Sequence, residues 1–177
     1  MLKELIDKGY YSIHDGFDNW EDAVRASVQP LIDAGAVKPA YADSIVNSVK
    51  KFGPYIAIAP DIAIPHAEDK DNVNETTICF MKSNTKVVLE EEDPDKHCRL
   101  FFVLASNDEE KHLENLCRLV AMFEDFEYME ALGNANTIEE IKALAEARAA
   151  RPEEELAEES ALEEAQILAA AAAEDAQ

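Results

Sequence analysis

The sequence of 177 residues is poor in glycine, cysteine and histidine, and each shortage argues against a class of protein. The five glycines form no GxGxxG, Walker A or GxSxG motif, which argues against a phosphate loop and a hydrolase nucleophile elbow. The three cysteines form no CxxC pair and leave one odd thiol, which disfavours a disulfide scaffold and favours a reducing cytosol. None of the four histidines has HxxxH or HxH spacing, so we expect no metal site and no cofactor.

Positive charge is also scarce, because 16 Lys and Arg face 38 Asp and Glu, a formal net charge of −22. Such a surface repels phosphate backbones and anionic lipid headgroups, so we expect neither nucleic-acid binding nor a basic membrane-surface role. No apolar run approaches the roughly 18 residues of a membrane span, and the N-terminus lacks the apolar core of a signal peptide. Hydrophobic residues make up 47% of the chain, enough for a core, so we predict a soluble cytoplasmic protein.

The length predicts one globular domain, and the composition changes near residue 150. Residues 151–177 hold nine acidic residues, one arginine and no aromatic residue, and they are rich in Ala and Glu. We therefore predict a domain over 1–150 and an acidic tail over 151–177 that is helical or disordered. The tail is either a solvated extension or a partner-binding helix with a weak apolar stripe of Leu156, Leu162, Ile167 and Leu168.

Helical patterns appear on both sides of a central strand region. Apolar residues at helical spacing predict four helices, which open at Asp18-x-x-Glu21, Pro39, Asn107-Asp108 and Thr137-x-x-Glu140. We expect Pro30 to kink or end the first helix and Gly53-Pro54 to end the second. Gly133-Asn134 is expected to interrupt the chain before the last helix.

The apolar runs between the second and third helices predict strands over residues 76–81, 86–89 and 98–105. The runs 55–59 and 62–64 predict either two short strands or one broken strand. The run 86–89 is expected at an edge, and the run 98–105 is expected to be buried on both faces. Helices, then strands, then helices predict an α/β sheet covered by helices on both sides.

His66 directly follows an apolar strand and a proline, in Ala63-Ile64-Pro65-His66-Ala67. Pro65 fixes φ and removes a backbone donor, so the strand must stop there or lie at an edge. The imidazole is then held at the rim of the sheet, where a macromolecule can reach it past the small Ala67. The alternative is an ordinary loop histidine.

His112 lies in the first turn or so of the helix that Asp108 is predicted to cap. Free N–H groups at that end favour an anion by about 0.3–1 kcal/mol per charge at exposed sites. An anion carried by His66 would be stabilised most if the fold brought it near this turn. The alternative is that His112 is an ordinary surface residue of the helix. His14 and His97 lie in polar, loop-like surroundings, and we assign them no role.

The run from Phe52 to Ala67, FGPYIAIAPDIAIPHA, carries a resemblance. It resembles the phosphorylation-site signature of the enzyme IIA components of the bacterial phosphoenolpyruvate-dependent sugar phosphotransferase system, mannitol/fructose type. Its FGPY…IAP…AIPH form is most similar to the ascorbate-specific branch. Trp20-Glu-Asp-Ala-Val and Lys111-His112-Leu113 agree, and the similarity covers roughly residues 1–148. The resemblance implies a single mixed β-sheet flanked by helices on both sides.

By this resemblance the chain is a phosphotransferase and needs no cofactor. His66 would accept a phosphoryl group from the phosphocarrier protein HPr and pass it to a cysteine on a cognate enzyme IIB, for uptake of ascorbate or a related sugar. His112 matches the family's second histidine, which is expected to hydrogen-bond the phosphoryl group or orient the first ring. The membrane enzyme IIC would lie on another chain, and the sequence leaves open whether the chain forms a homodimer.

Two positions depart from the family pattern: Glu68, where many members carry arginine, and Lys51, where an acidic or amide residue is common. A carboxylate at 68 would repel a phosphohistidine by about 1 kcal/mol at 4 Å in water. Lys70, Lys111 or Arg118 could offset this repulsion. Two other functions remain open: a regulatory enzyme IIA homologue that keeps its phosphate, and a non-catalytic interaction module that uses the acidic tail.

Overall fold

A computed structural model describes residues 1–151, and in them six α-helices surround a five-stranded sheet. In chain order the elements are α1 (Leu2–Lys8), β1 (Tyr11–His14), α2 (Trp20–Asp33), α3 (Ala40–Phe52), β2 (Ala57–Ala59), β3 (Asp61–Ala63), β4 (Thr77–Val88), β5 (His97–Ala105), α4 (Glu109–Phe123), α5 (Phe126–Asn134) and α6 (Ile138–Ala149). Short 3₁₀ turns cover Lys70–Asn72 and Pro94–Lys96. Apart from Arg151, the predicted tail lies outside the described residues.

The strands form one mixed sheet in the order β1-β4-β5-β3-β2. β4 and β5 pair antiparallel at the centre, whereas β1 runs parallel to β4 and β3 runs parallel to β5. β2 completes the other edge by pairing antiparallel with β3. The predicted single mixed sheet is therefore confirmed.

Each face of the sheet is covered by helices because successive side chains of a strand point to opposite sides. On one face, Met81 and Phe101 pack with α2 and α3. On the other, Phe80 and Phe102 pack with α1, α4, α5 and α6, and the centroids of these two rings lie 5.1 Å apart. Nearly all of β5 is buried, as its apolar sequence predicts.

Side-chain caps determine where several helices begin. The predicted caps at Asp108 and Thr137 are confirmed, and Thr137 forms its full capping box. The cap of α2 is Asn19, whose side chain accepts from the backbone N–H of Asp22 at 2.8 Å, so the expectation of Asp18 is wrong by one residue. Asp and Asn cap helices about equally well, so spacing alone does not choose between the two neighbours.

The interruptions predicted at Pro30 and at Gly133-Asn134 have different outcomes. Pro30 lies in the last turn of α2 and supplies no N–H to the carbonyl four residues earlier, yet the helix continues to Asp33, so the expected early end is wrong. α5 ends at Asn134 and α6 begins at Ile138, so the predicted interruption at Gly133-Asn134 is confirmed. A Cβ at Gly133 would stand 2.9 Å from the Arg99 guanidinium, so glycine also allows close packing here. The predicted end of α3 is confirmed, with Gly53 at φ 87°.

The predicted secondary structure needs one correction to a strand, and three further elements must be added to it. Residues 86–89 do not form a separate edge strand, because β4 continues through them after a register shift against β5 between Lys82 and Val87. The elements α1, β1 and α5 were not predicted. His14 ends β1 and His97 begins β5, so neither has the loop-like surroundings expected from the sequence.

Candidate functional site

The segment that carries His66 is held by backbone hydrogen bonds on two sides. The Ile64 N–H donates to the Ile56 carbonyl at 2.8 Å, and the Leu104 N–H of β5 donates to the Pro65 carbonyl at 3.1 Å. Pro65 itself has no N–H to donate, so the strand ends and the chain turns away from the sheet. His66 therefore follows a fixed strand end at the rim of the sheet, where the Pro-His sequence predicts it.

The start of the same strand is held by an ion pair. Asp61 has a positive φ of 72°, unusual for a residue other than glycine. Its carboxylate accepts from the backbone N–H of Arg99 at 2.9 Å and from the guanidinium Nη2 at 2.6 Å. The pairing moves from Asp61 opposite Cys98 to Ile62 opposite Leu100, so Arg99 is the extra residue of a bulge. The Asp61–Arg99 pair thus fixes the register of the strand that leads to His66.

The imidazole of His66 has one nitrogen engaged by the protein. Nδ1 lies 2.6 Å from the carbonyl oxygen of Ile64, and the ring is half-buried. A carbonyl oxygen only accepts, so this contact places the proton on Nδ1 and leaves a lone pair on Nε2. The contact with Ile64 therefore assigns the tautomer of His66.

Two tyrosines hold the backbone around His66, and the sequence analysis missed both. Tyr55 donates its hydroxyl proton to the His66 carbonyl, and its ring meets the imidazole edge-on. The Tyr41 hydroxyl donates to the Leu104 carbonyl at 3.1 Å and accepts from the Ala67 N–H at 3.4 Å. Burial raises the pKa of Tyr41 to about 12, so this hydroxyl stays protonated as a donor.

His112 lies in the first turn of α4, where Asp108 caps the helix by accepting from the Lys111 N–H at 3.1 Å. Its Nδ1 atom is buried and has no hydrogen-bond partner among the described residues. A buried N–H without an acceptor is disfavoured, so we place the proton of the neutral ring on Nε2. In that tautomer Nε2 is the donor of this ring.

His66 and His112 line the same open groove, which has a volume of about 640 Å³. The other residues that line it are Ala67, Glu68, Asp69, Lys70, Leu104, Ser106 and Glu109. The chain therefore brings together the two histidines selected from the sequence, 46 positions apart, at the N-terminal end of α4. His14 and His97 are not among the lining residues.

The loop after His66 is tied to α3 through Asp69. The Ser44 hydroxyl donates to the Asp69 carboxylate, and the Asn72 amide donates to the same oxygen at 2.7 Å. These hydrogen bonds, that from Ser44 first, hold the pKa of Asp69 below its ordinary value. Asp69 is therefore a fixed negative charge in the groove, whereas Glu68 next to it is exposed.

The cations suggested by the sequence lie in different places. Lys70 lines the groove and pairs with Glu109, Nζ to Oε1, at 3.2 Å. Arg118 pairs instead with Glu4 of α1 at 2.8 Å, and Lys51 lies over the Phe52 ring, 5.0 Å from its centroid. Lysine 70 is thus the candidate that stands beside the two histidines.

Within residues 1–151, no three His, Cys, Asp or Glu side chains gather as a metal ion would require. No helix in that range combines the length and the apolar character needed to cross a bilayer.

Comparisons with known proteins agree with this fold. Residues 4–147 match the family model "Phosphoenolpyruvate-dependent sugar phosphotransferase system, EIIA 2". The ascorbate-specific PTS system EIIA component of Escherichia coli (strain K12) is 30% identical over 125 residues, which are 70% of this chain and 80% of that protein.

Solved structures show the same architecture. A crystal structure assigned to a PTS IIA domain from Streptococcus pyogenes M1 GAS superposes with a TM-score of 0.71 at 32% identity, over 86% of this chain and 98% of that one. The crystal structure of IIA mannitol from Escherichia coli gives a TM-score of 0.65 at 25% identity, over 77% and 95% of the two chains.

Proposed function

Because the chain belongs to the EIIA 2 family of the phosphoenolpyruvate-dependent sugar phosphotransferase system, we propose that its phosphoryl group is carried on Nε2 of His66. Members of this family are phosphotransferases that act as phosphoryl carriers for an enzyme IIB. The observation that supports this choice of atom is the 2.6 Å contact between His66 Nδ1 and the Ile64 carbonyl. It leaves Nε2 as the nitrogen with a free lone pair on a half-buried ring beside an open groove.

The transfer can be written without a metal ion. The Nε2 lone pair of His66 forms the new P–N bond while the bond from phosphorus to the donor's imidazole nitrogen breaks and returns its electron pair to that nitrogen. Positive charge then develops on the His66 ring, where the Nδ1–H already faces the Ile64 carbonyl. The onward step reverses this movement: a cysteine thiolate of enzyme IIB forms the bond to phosphorus, and the P–N electron pair returns to Nε2.

The phosphoryl oxygens need donors, and the start of α4 offers them. We propose that Nε2–H of His112 donates to a phosphoryl oxygen, a role that its buried, unpartnered Nδ1 supports. The positive end of the α4 dipole adds about 0.3–1 kcal/mol per charge. Positioning and charge stabilisation of this kind are the main requirements of phosphoryl transfer.

The partners follow from the same assignment. We propose phospho-HPr as the donor, a cognate enzyme IIB as the acceptor, and residues 1–150 as the phosphotransfer domain. Ascorbate is the proposed transported substrate, supported by the 30% identity to an ascorbate-specific EIIA component. Against a chain with net charge −22, a basic docking face on either partner would speed the encounter.

Mass spectrometry of the intact chain tests the proposal after incubation with phosphoenolpyruvate, enzyme I and HPr. We expect one acid-labile phosphoryl group on His66, absent from His66→Gln and retained in the matched control His97→Gln, a histidine outside the groove. Adding enzyme IIB should then discharge it. Loading of His66→Gln would overturn the assignment, and a phosphoryl group that no enzyme IIB removes would indicate a regulatory protein.

A further inference from the structure

A lysine–glutamate pair spans the mouth of the groove. Lys70 begins the 3₁₀ turn that follows His66, and Glu109 is the first residue of α4. Nζ and Oε1 lie 3.2 Å apart, and the two side chains are 62% and 90% exposed. This Lys70–Glu109 pair therefore joins the loop that carries His66 to the helix that carries His112.

The charge of the groove gives Lys70 a particular position. Among the described residues that line it, Lys70 carries the one fixed positive charge, against the carboxylates of Glu68, Asp69 and Glu109. A phosphoryl group on His66 would bring close to two further negative charges. The described lining of the groove therefore offers no cationic side chain to the proposed phosphoryl group unless the Lys70 ammonium turns towards it.

We propose that Lys70 leaves Glu109 and pairs with the phosphoryl group when His66 is phosphorylated, which makes Lys70 the phosphoryl-binding cation of this groove. The inference rests on the proposed function, because it needs a phosphoryl group on His66. Lysine 70 would offset the charge of Glu68, and Glu109 would compete with the phosphoryl group for the same ammonium.

Such an exchange needs little rearrangement. Exposed ion pairs are weak, so Glu109 does not hold Lys70 tightly, and a phosphoryl group with about two charges attracts an ammonium more strongly than one carboxylate. Glu109 and His112 are three residues apart on α4 and therefore share a helix face. The ammonium already lies on the side of the helix where His112 is placed, and a lysine stem is flexible enough to turn.

The carboxylate of Glu109 is still stabilised after Lys70 leaves it. It stands in the first turn of α4, where the free N–H groups and the helix dipole favour a carboxylate. The pair therefore has two stable arrangements, which differ in whether a phosphoryl group is present.

The test uses the full chain and potassium phosphoramidate, a small phosphoryl donor that needs no protein partner. Variants Lys70→Met and Glu109→Gln are compared with the control Lys111→Met, which removes the same charge from an exposed lysine outside the lining of the groove. The extent of loading of His66 at equilibrium and the ³¹P chemical shift against pH are measured for each. The chemical shift reports the ionisation of the phosphoryl group itself, which a purely structural role of Lys70 would leave unchanged.

We expect Lys70→Met to lower the loading constant about three- to tenfold and to raise the pKa of the phosphoryl group. Glu109→Gln should raise loading and lower that pKa, and Lys111→Met should stay within twofold of the parent chain. If Lys70→Met behaves like Lys111→Met while the parent chain loads His66, the inference is overturned and the proposed function stands. Failure of the parent chain to load His66 from either phosphoramidate or phospho-HPr overturns both.

Discussion

The ring of Tyr55 meets the imidazole of His66 edge-on, with centroids 5.1 Å apart and planes at 87°, and the hydroxyl of the same tyrosine donates to the His66 carbonyl. One side chain thus fixes both the ring and the main chain of the proposed phosphoryl acceptor. Since Tyr55 stands just before β2, it couples the edge of the sheet to the orientation of the His66 ring.

Removing the Tyr55 hydroxyl should slow phosphoryl transfer. In Tyr55→Phe the edge-on ring is kept and one hydrogen bond is lost, so we expect the single-turnover rate from phospho-HPr to fall about fivefold, equivalent to about 1 kcal/mol. Tyr55→Leu removes the ring contact as well and should lose about 0.5–1.5 kcal/mol more. Tyr11→Phe on the opposite edge strand is the control, and an unchanged rate in Tyr55→Phe would contradict the role.

The Asp61–Arg99 pair should contribute measurably to the free energy of unfolding. We expect Asp61→Ala to lose about 2–3 kcal/mol, because it removes charge-assisted hydrogen bonds to a half-buried arginine without relieving the strain of a Cβ at φ 72°. Asp61→Gly loses the same bonds but also relieves the backbone strain, because glycine adopts a positive φ freely, so it should be about 1 kcal/mol more stable than Asp61→Ala. Urea unfolding measures both, and equal stabilities would show that the backbone conformation at this position carries no cost.

The Asp69 carboxylate should make stability depend on pH at the acid end. Its folded-state pKa lies below the ordinary value of 3.8, so its contribution is complete above that value and is lost as the pH falls through the folded pKa. Ser44→Ala removes the main cause, so the chain should be less stable at neutral pH and its stability should fall less steeply below pH 3.8. Acid titration followed by circular dichroism and by NMR of Asp69 checks this, and an unmoved Asp69 pKa would contradict it.

The three thiols should differ in reactivity. Cys79 and Cys98 are buried, which raises the pKa of Cys79 and raises that of Cys98 to about 12, whereas Cys117 is exposed on α4. A disulfide reagent should therefore titrate one thiol quickly in the native chain and three in urea. Cys117→Ser should abolish the fast reaction, and a second fast thiol would show that one of the buried cysteines becomes accessible.

Local signals predicted much of the helical layer. The cap at Asp108, the capping box at Thr137 and the glycine at 53 act within one turn of the residues they affect, so the sequence contains the whole interaction. The continuation of β4 past Lys82 depends on where β5 pairs, which no local pattern specifies. The elements α1 and β1 span seven and four residues, too short for a period to show.

The residues of the candidate site could also be predicted only in part. His66 and His112 could be selected because a strand end and a helix start each have a sequence pattern, although their meeting in one groove could not be derived from spacing. Tyr41 and Tyr55 were missed because each bonds to backbone groups remote in sequence. Tyr41 lies at core spacing on α3, where a tyrosine looks like any large apolar residue until its hydroxyl partner is known.

Leu104 anchors the backbone around His66 through its main-chain N–H and carbonyl, a pair of groups that every amino acid but proline possesses. Its N–H holds Pro65 and its carbonyl holds the Tyr41 hydroxyl. Evolution can thus exchange the side chain at this position for others that fill the same core space while the anchoring persists. Proline is the exception, since it would detach the Pro65-His66 segment from the sheet, and its absence here is a requirement that comparisons of side-chain similarity would not reveal.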